Sequence, residues 1–328
     1  MEVSTVVCLL ILQDTLNKKA KRKQLITSLL PYCGLVFIII FFCITCGSKF
    51  MDGQNVENLV NQCFTSVIVV AGACFIYATG AMDMSVGAIL GMCCFSAAVT
   101  LRAGAPWFVA LLVAMLTGAV LELITALIFQ YLKVPVFIVT MCMMYALQGV
   151  LITLVQKEYT IDFRATSWLN DASVRAVALV IVLGITYYLF HQTKLGPKLK
   201  AIGANRETAI QGGINVVLVT CIGFCILGAC CGIGGFFTLT RMGYTTASAG
   251  AGIMLNVMIG MVLGGNPLTG GSRFKLINAI IGALIVTILT NGLTLMGLIP
   301  ALLETFKGVL YLIIVFSTYD KSKGVLVS

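Results

Sequence analysis

The sequence predicts an all-α, polytopic helical membrane protein with about ten transmembrane helices, at roughly 20 residues per span. Three observations predict it. The 328 residues are 59% hydrophobic and only 10% charged, whereas a soluble domain carries about 25% charge. Mean hydropathy is +1.05. Apolar runs of spanning length recur from end to end, where an outer-membrane barrel would show short alternating segments. These features exclude a soluble enzyme, a disordered chain and a secreted disulfide scaffold.

The elements follow in chain order. Residues 1–30 begin with an apolar piece, Val6–Leu12, too short to span, and then carry the run Lys18-Lys19-Ala20-Lys21-Arg22-Lys23. A signal peptide would have its basic residues first, so 1–30 reads as a cytoplasmic amphipathic, basic segment. Residues 31–320 form the transmembrane domain. Its apolar runs are 31–47, 59–81, 84–102, 105–132, 134–156, 174–192, 217–240, 252–264, 276–290 and 293–316. Residues 157–173 mix Glu158, Asp162, Arg164 and Asp171 with Trp168 and read as an external loop with an interfacial aromatic. Residues 193–216 are the longest cytoplasmic segment, and 321–328 are a cytoplasmic tail.

The net charge of +9 is read as a topology signal rather than a nucleic-acid footprint, because membrane proteins concentrate Lys and Arg in cytoplasmic loops. With the N-terminus inside, the five basic residues of 18–23 join Lys133, Lys194, Lys198, Lys200, Arg206, Arg273, Lys275, Lys321 and Lys323 on the cytoplasmic side, fourteen in all. Lys49, Arg102, Lys157, Arg164, Arg175 and Arg241 are the six outside. That split supports both termini inside and an even number of spans.

Most of the 13 cysteines lie inside apolar runs, where a small, weakly polar side chain serves packing. Cys46 and Cys63 flank one short loop, but spacing alone does not set a pairing. Two helices look broken. Gly80–Gly87 puts Asp83 and Ser85 at a break after the second span, and Thr245–Gly252 is a Ser/Ala/Gly-rich break after the seventh. Breaks at matching places in two halves are what an inverted repeat would show. Gly87-xxx-Gly91, Gly228-xxx-Gly232 and Gly260-xxx-Gly264 predict close helix contacts.

No catalytic residue and no metal site is expected. The one histidine, His191, cannot build either alone, and no H-E-x-x-H or P-loop pattern occurs, so this chain cannot itself cradle ATP. Glu304 and Lys307, at i and i+3, can neutralise each other. Glu122 has no partner within one helical turn; it either pairs with another helix, lines a polar cavity or sits protonated.

Five segments in order resemble the permease subunits of ribose-type (simple sugar) ABC importers. They are Asp83-Met-Ser-Val-Gly87, Pro135-Val-Phe-Ile-Val-Thr140-Met, Ala201-Ile-Gly-Ala-Asn205 through Gly213-Ile-Asn-Val216, Val262-Leu-Gly-Gly-Asn-Pro-Leu-Thr-Gly-Gly271, and Asn291-Gly-Leu-Thr-Leu-Met-Gly297. The resemblance covers roughly 50–320 and implies the ABC importer permease fold. It also implies partners: an ABC ATPase subunit that holds ATP and magnesium, a periplasmic or lipid-anchored solute-binding protein, and a second permease copy or paralogue. The cargo it implies is sugar-like. No cofactor is expected in this chain, and no nucleic acid. The location implied is the bacterial inner membrane.

By the same resemblance, Asn205, Glu207, Ala209 and Gly213 form a short helix that couples to the ATPase. Asp83, Ser85, Asn256 and Asn291 line the translocation pathway or its gate, with Asp83 alternatively capping the helix that follows. Three positions depart from the family. Gln148-Gly149 stands in place of Arg-Gly, Met254-Leu255-Asn256 in place of Glu-Leu-Asp, and Glu122 where a small residue is expected. The competing function is an ATP-independent secondary transporter of a small polar solute.

Overall fold

The computed structural model of the chain describes residues 31–155, 159–160, 167–267 and 270–318. The expected N-terminal segment 1–30 and tail 321–328 lie outside the described residues. The regular structure of the described chain is helical, apart from one pair of two-residue strands.

Each expected apolar run carries one helix: α1 (Pro31–Thr45), α3 (Gly53–Tyr77), α4 (Val86–Arg102), α5 (Trp107–Leu132), α6 (Val136–Leu154), α7 (Ala172–His191), α10 (Val216–Met242), α11 (Ile253–Leu263), α12 (Leu276–Leu295) and α13 (Pro300–Thr318). A short helix α2 (Ser48–Met51) joins α1 to α3. Six helices, α3, α5, α6, α7, α10 and α12, are long and apolar enough to cross a membrane. Those six make the protein a multi-pass membrane protein. Helices α1, α4 and α11 are shorter; α11 has only 11 residues, about 17 Å at 1.5 Å per residue.

Two boundaries move for physical reasons. Helix α3 starts at Gly53, well before the apolar run, because Asp52 Oδ2 accepts from Gln54 N at 3.3 Å and caps a polar first turn. Near the C-terminal end, α12 runs on to Leu295, and the chain turns at Gly297 (φ +90°) before α13 begins with a proline. Proline suits a first helical turn, where its missing N–H costs nothing.

The packing centre is α10, which lies against α5, α3 and α4; α12 packs on both α3 and α11, and α6 on α4. The small residues do what their spacing predicts. A Cβ on Gly228 would stand 2.2 Å from Gly118 O, and one on Gly232 would stand 2.4 Å from Met115 Cα, so α10 and α5 touch backbone to backbone. Gly260 and Gly264 do the same between α11 and α12, against Gly282 and Asn278. Close approach of this kind is the main route to tight helix packing where lipid removes the hydrophobic drive. The described cysteines are all free thiols, Cys46 and Cys63 included.

Both expected breaks are present, as the 78–85 turn between α3 and α4 and the 243–252 segment between α10 and α11. They meet. A Cβ on Gly87 would stand 2.6 Å from Gly250 O, and one on Gly250 would stand 1.7 Å from Gly87 O. Within the 157–173 region, β1 (Tyr159–Thr160) pairs antiparallel with β2 (Tyr244–Thr245) at the start of the second break. Trp168 is half-exposed and sits edge-on to Trp107, 5.2 Å between centroids. Two-residue strands are too short to leave a sequence pattern. Residues 193–216, expected as a loop with one short helix, fold instead as two helices, α8 (Leu195–Ala204) and α9 (Arg206–Gln211).

The start of α1, the ends of α5 and α7, and the starts of α6, α10 and α12 gather at one end of the bundle with α8. That end also carries Lys200, Arg206 and Lys275.

Candidate functional site

At the α8–α9 end, the backbone at Asn205 is extended (φ −164°, ψ 115°), which stops α8. The Asn205 side chain then starts α9 by accepting from Thr208 N at 3.0 Å. Asparagine at an N-cap satisfies one of the orphan amides of a first turn. Glu207 follows in that first turn, exposed, where an acid complements the helix dipole. Ala209 faces inward at 5% exposure and packs with the core. Gly213 adopts φ +77°, which an L side chain rarely takes, and lets the chain turn into α10. Arg206 Nη2 donates to Gln130 Oε1 at 3.0 Å and ties α9 to the end of α5. All four expected coupling residues therefore sit on one short exposed helix and its flanks.

That helix pair is joined to the first break. A Cβ on Gly203 would stand 2.2 Å from Ala78 O and 2.7 Å from Gly271 N. Gly271 N donates to Ala78 O at 2.9 Å. Gly270 (φ +67°) lies against Tyr77 O and Gly80 N. Three sequence motifs thus converge backbone to backbone: the end of α8, the α3–α4 turn and the Gly-Gly pair after α11.

Within that turn, Asp83 and Ser85 are fully buried. Asp83 Oδ1 accepts from Ser85 N at 2.7 Å and from Ser85 Oγ at 2.6 Å. The helix cap itself is Ser85, whose side chain makes no cap bond, so Asp83 orders the turn one step before α4. Its carboxyl lies against that of Glu122 on α5, also fully buried. As carboxylates the two leave Asp83 Oδ2 and both Glu122 oxygens without a donor; a side-chain hydrogen bond between them requires a proton on one of the two. Of the three readings open for Glu122, the structure shows contact with another element, and the partner is an acid.

A cavity of about 460 Å³ lies at the opposite end of the bundle, between α3, α10, the second break, α11 and α12. Its walls combine hydroxyls and amides, including Gln62, Thr65, Thr238, Ser248, Asn256 and Thr287, with the Arg241 guanidinium and an equal share of apolar surface. Thr65 and Thr238 hydroxyls meet at 3.3 Å. Asn256 lines the cavity, and its Oδ1 is buried without a partner among the described residues. Of the four expected pathway residues, only Asn256 lines this cavity. Asp83 and Ser85 lie in the first break. Asn291 forms a reciprocal amide pair with Asn55 of α3 (Nδ2 to Oδ1 at 3.0 and 3.2 Å).

Sequence reasoning missed two features here. Gln148 is more than a departure from a motif: its Nε2 donates to Ala247 O at 3.0 Å and holds the second break to α6. The Asn55 partner of Asn291 sits in the polar first turns of α3, outside the apolar run that marked the helix. Glu304 and Lys307 do pair, at 2.9 Å, with the lysine buried and the glutamate half-exposed. Their helix leans on the second break, since a Cβ on Gly252 would stand 2.8 Å from Glu304 Oε1.

Residues 55–318 match the family described as the branched-chain amino acid transport system permease component. The ribose import permease protein RbsC of Bacillus subtilis (strain 168) is 28% identical over 300 residues, covering 89% of this chain and 92% of that protein. The galactofuranose transporter permease protein YtfT of Escherichia coli (strain K12) is 28% identical over 263 residues, 78% of this chain and 76% of that protein. The D-allose transport system permease protein AlsC of the same organism is 25% identical over 270 residues, 80% of this chain and 82% of that protein. No solved structure matches. The matched residues run from the first turn of α3 through α13 and take in both breaks, the α8–α9 pair and the cavity, so the chain belongs to the family of branched-chain amino acid transport system permease components, as a ribose-type ABC importer permease and not an enzyme.

Proposed function

We propose that the protein is the membrane subunit of an ATP-driven importer that moves a sugar or sugar-like small solute inward. In this reading ten helices span the bacterial inner membrane, α11 doing so together with the second break. The α8–α9 end and both termini face the cytoplasm, as the concentration of basic residues there favours. A separate ATPase subunit holds ATP and magnesium, and no cofactor resides in this chain. An external solute-binding protein delivers cargo, and a second permease copy or paralogue completes the pathway.

Asn205, Glu207, Ala209 and Gly213 form the docking element for the ATPase. Closure of the ATPase pushes α9; α8 moves with it, and Gly203 passes the push to the α3–α4 turn that carries Asp83 and Ser85. A packed backbone junction moves as a rigid body rather than deforming gradually. The solute passes along Asn256 and the hydroxyl wall, with Asp83, Ser85 and Asn291 shaping the gate. The observation that carries the cargo class is the cavity: its many hydroxyls and amides, with Arg241 the one charged side chain on its wall among the described residues, offer hydrogen bonds to a polyhydroxylated solute.

The test is uptake in the native host with the chain deleted and then restored. Labelled D-ribose, D-allose and D-galactofuranose are supplied in turn. Restoration by the wild type, loss on ATP depletion, and survival when the proton and sodium gradients are dissipated are expected. Glu207→Arg should insert normally and lose both uptake and ATPase co-purification. Uptake that follows the gradients, or an unaffected Glu207→Arg, overturns the reading.

A further inference from the structure

A second groove, of about 590 Å³, opens at the α8–α9 end between α1, α7, α8 and α12. It is separate from the hydroxyl-lined cavity and from α9. Lys200, Lys275 and His191 line it, and among the described residues no acidic side chain does. Neither lysine makes an ion pair among the described residues. Burial, and after it the nearby Lys275, push the Lys200 ammonium below the ordinary lysine value. Its Nζ stands 5.0 Å from the centroid of the Phe190 ring. Two cations are therefore held toward one space without a counter-charge among the described residues.

The wall between them is the first turn of α12. Lys275 is its N-cap, and no side chain caps the helix. Leu276, Ile277 and Asn278 line the groove, and first-turn amides have no acceptor four residues back. They sit at the positive end of the helix dipole, where anions bind. A second, independent observation marks the same place. Asn278 lines the groove at 9% exposure, and its side chain makes no hydrogen bond among the described residues. Tyr32 and Ser272 add hydroxyls at the rim.

The chemistry that satisfies this set is a compact anion with several oxygens, and a phosphate group fits it. The surroundings favour a phosphate carried on acyl chains. Tyr32, Tyr187, Tyr188 and Ile277 stand exposed on the helices that bound the groove, as interfacial aromatics and lipid-facing side chains do. Basic pockets between spanning helices hold anionic lipid headgroups.

We propose that this groove is a phosphate site that holds the headgroup of an anionic membrane lipid, gripped by Lys200, Lys275 and the uncapped start of α12. The site does not depend on what the protein transports.

The full chain is placed in nanodiscs of phosphatidylcholine, and thermal unfolding is followed as phosphatidylglycerol replaces part of the lipid, or as inorganic phosphate is added instead. Phosphatidylglycerol should raise the midpoint of the wild type. In the Lys200→Gln/Lys275→Gln variant at least half of that gain should vanish. In phosphatidylcholine alone the variant should melt no lower than the wild type, because it removes a repulsion. Lys198→Gln, on the same helix but outside the groove lining, should keep the gain. If the double variant does not insert, Lys275→Gln alone carries the comparison, since the Lys275 bonds to Asn266 are made by its backbone. Equal gains in wild type and variant overturn the site. A gain from inorganic phosphate with none from phosphatidylglycerol overturns the lipid assignment in favour of a free anion.

Discussion

Asp83 and Glu122 are two fully buried carboxyls set against each other. An acid inside a membrane protein is expensive unless paired, and here the two face each other, so a hydrogen bond between them needs a proton held on one. The sequence marked both positions, Asp83 by its motif and Glu122 as an unmatched carboxylate, but could not join them, because the contact is between a turn and a helix some 40 residues apart in sequence. The same limit hid Asn55 behind Asn291 and Ala247 behind Gln148. In each case one partner is a polar side chain visible in a pattern, and the other becomes relevant only through packing. A donor at position 122 should relieve the acid pair. Glu122→Gln puts an amide N–H beside the Asp83 carboxyl with no need for a bound proton, and satisfying a buried polar group is worth about 1–3 kcal/mol. The expected outcome is a higher unfolding midpoint than the wild type in thermal denaturation of the purified protein. Glu122→Ala, which supplies no donor and opens a void, should not reproduce the gain.

At the level of elements, the small-residue spacings announced close contacts but not their partners. Gly228 and Gly232 could have faced any helix; they face α5 because α10 is the packing centre. The breaks were legible for a similar reason, since glycine and short polar side chains interrupt an apolar run visibly. Their crossing at Gly87 and Gly250 was not, because it depends on two segments more than 150 residues apart folding back toward one point. The Gly203 junction is where this has mechanical consequences. Any side chain at 203 meets the Ala78 carbonyl at 2.2 Å, and backbone cannot step aside as a flexible side chain would. Gly203→Val should therefore push α8 off the α3–α4 turn while leaving α9 exposed for docking. The expected result is retained ATPase co-purification, with sugar uptake falling by at least tenfold. Loss of co-purification along with uptake would mean that the substitution damages α9 itself and would remove the junction from the coupling path.

At the level of the whole molecule, composition sufficed to give the class, and apolar run length sufficed to locate ten helices. Run length alone did not give their span count, because α4 and α11 are cut short by the breaks, and α13 carries Glu304 and Lys307. Orientation rests on charge. The end that gathers α8 and the starts of α6, α10 and α12 also carries Lys200, Arg206 and Lys275, while the opposite end begins α3 with Asp52, Asn55 and Glu57 in or beside its first two turns. If the basic end faces the cytoplasm, single cysteines at the two ends must differ in access. Glu207→Cys and Gln54→Cys both replace exposed side chains, and Gln54 donates only a backbone bond to Asp52, so neither change disturbs packing. In intact cells a membrane-impermeant thiol reagent should label the position 54 variant and spare the position 207 variant, above the background set by the native thiols. A permeant reagent should label both. Labelling of position 207 alone by the impermeant reagent would invert the protein in the membrane. It would also put α9 on the wrong side for an ATPase, so the orientation and the coupling assignment stand or fall on the same pair of measurements.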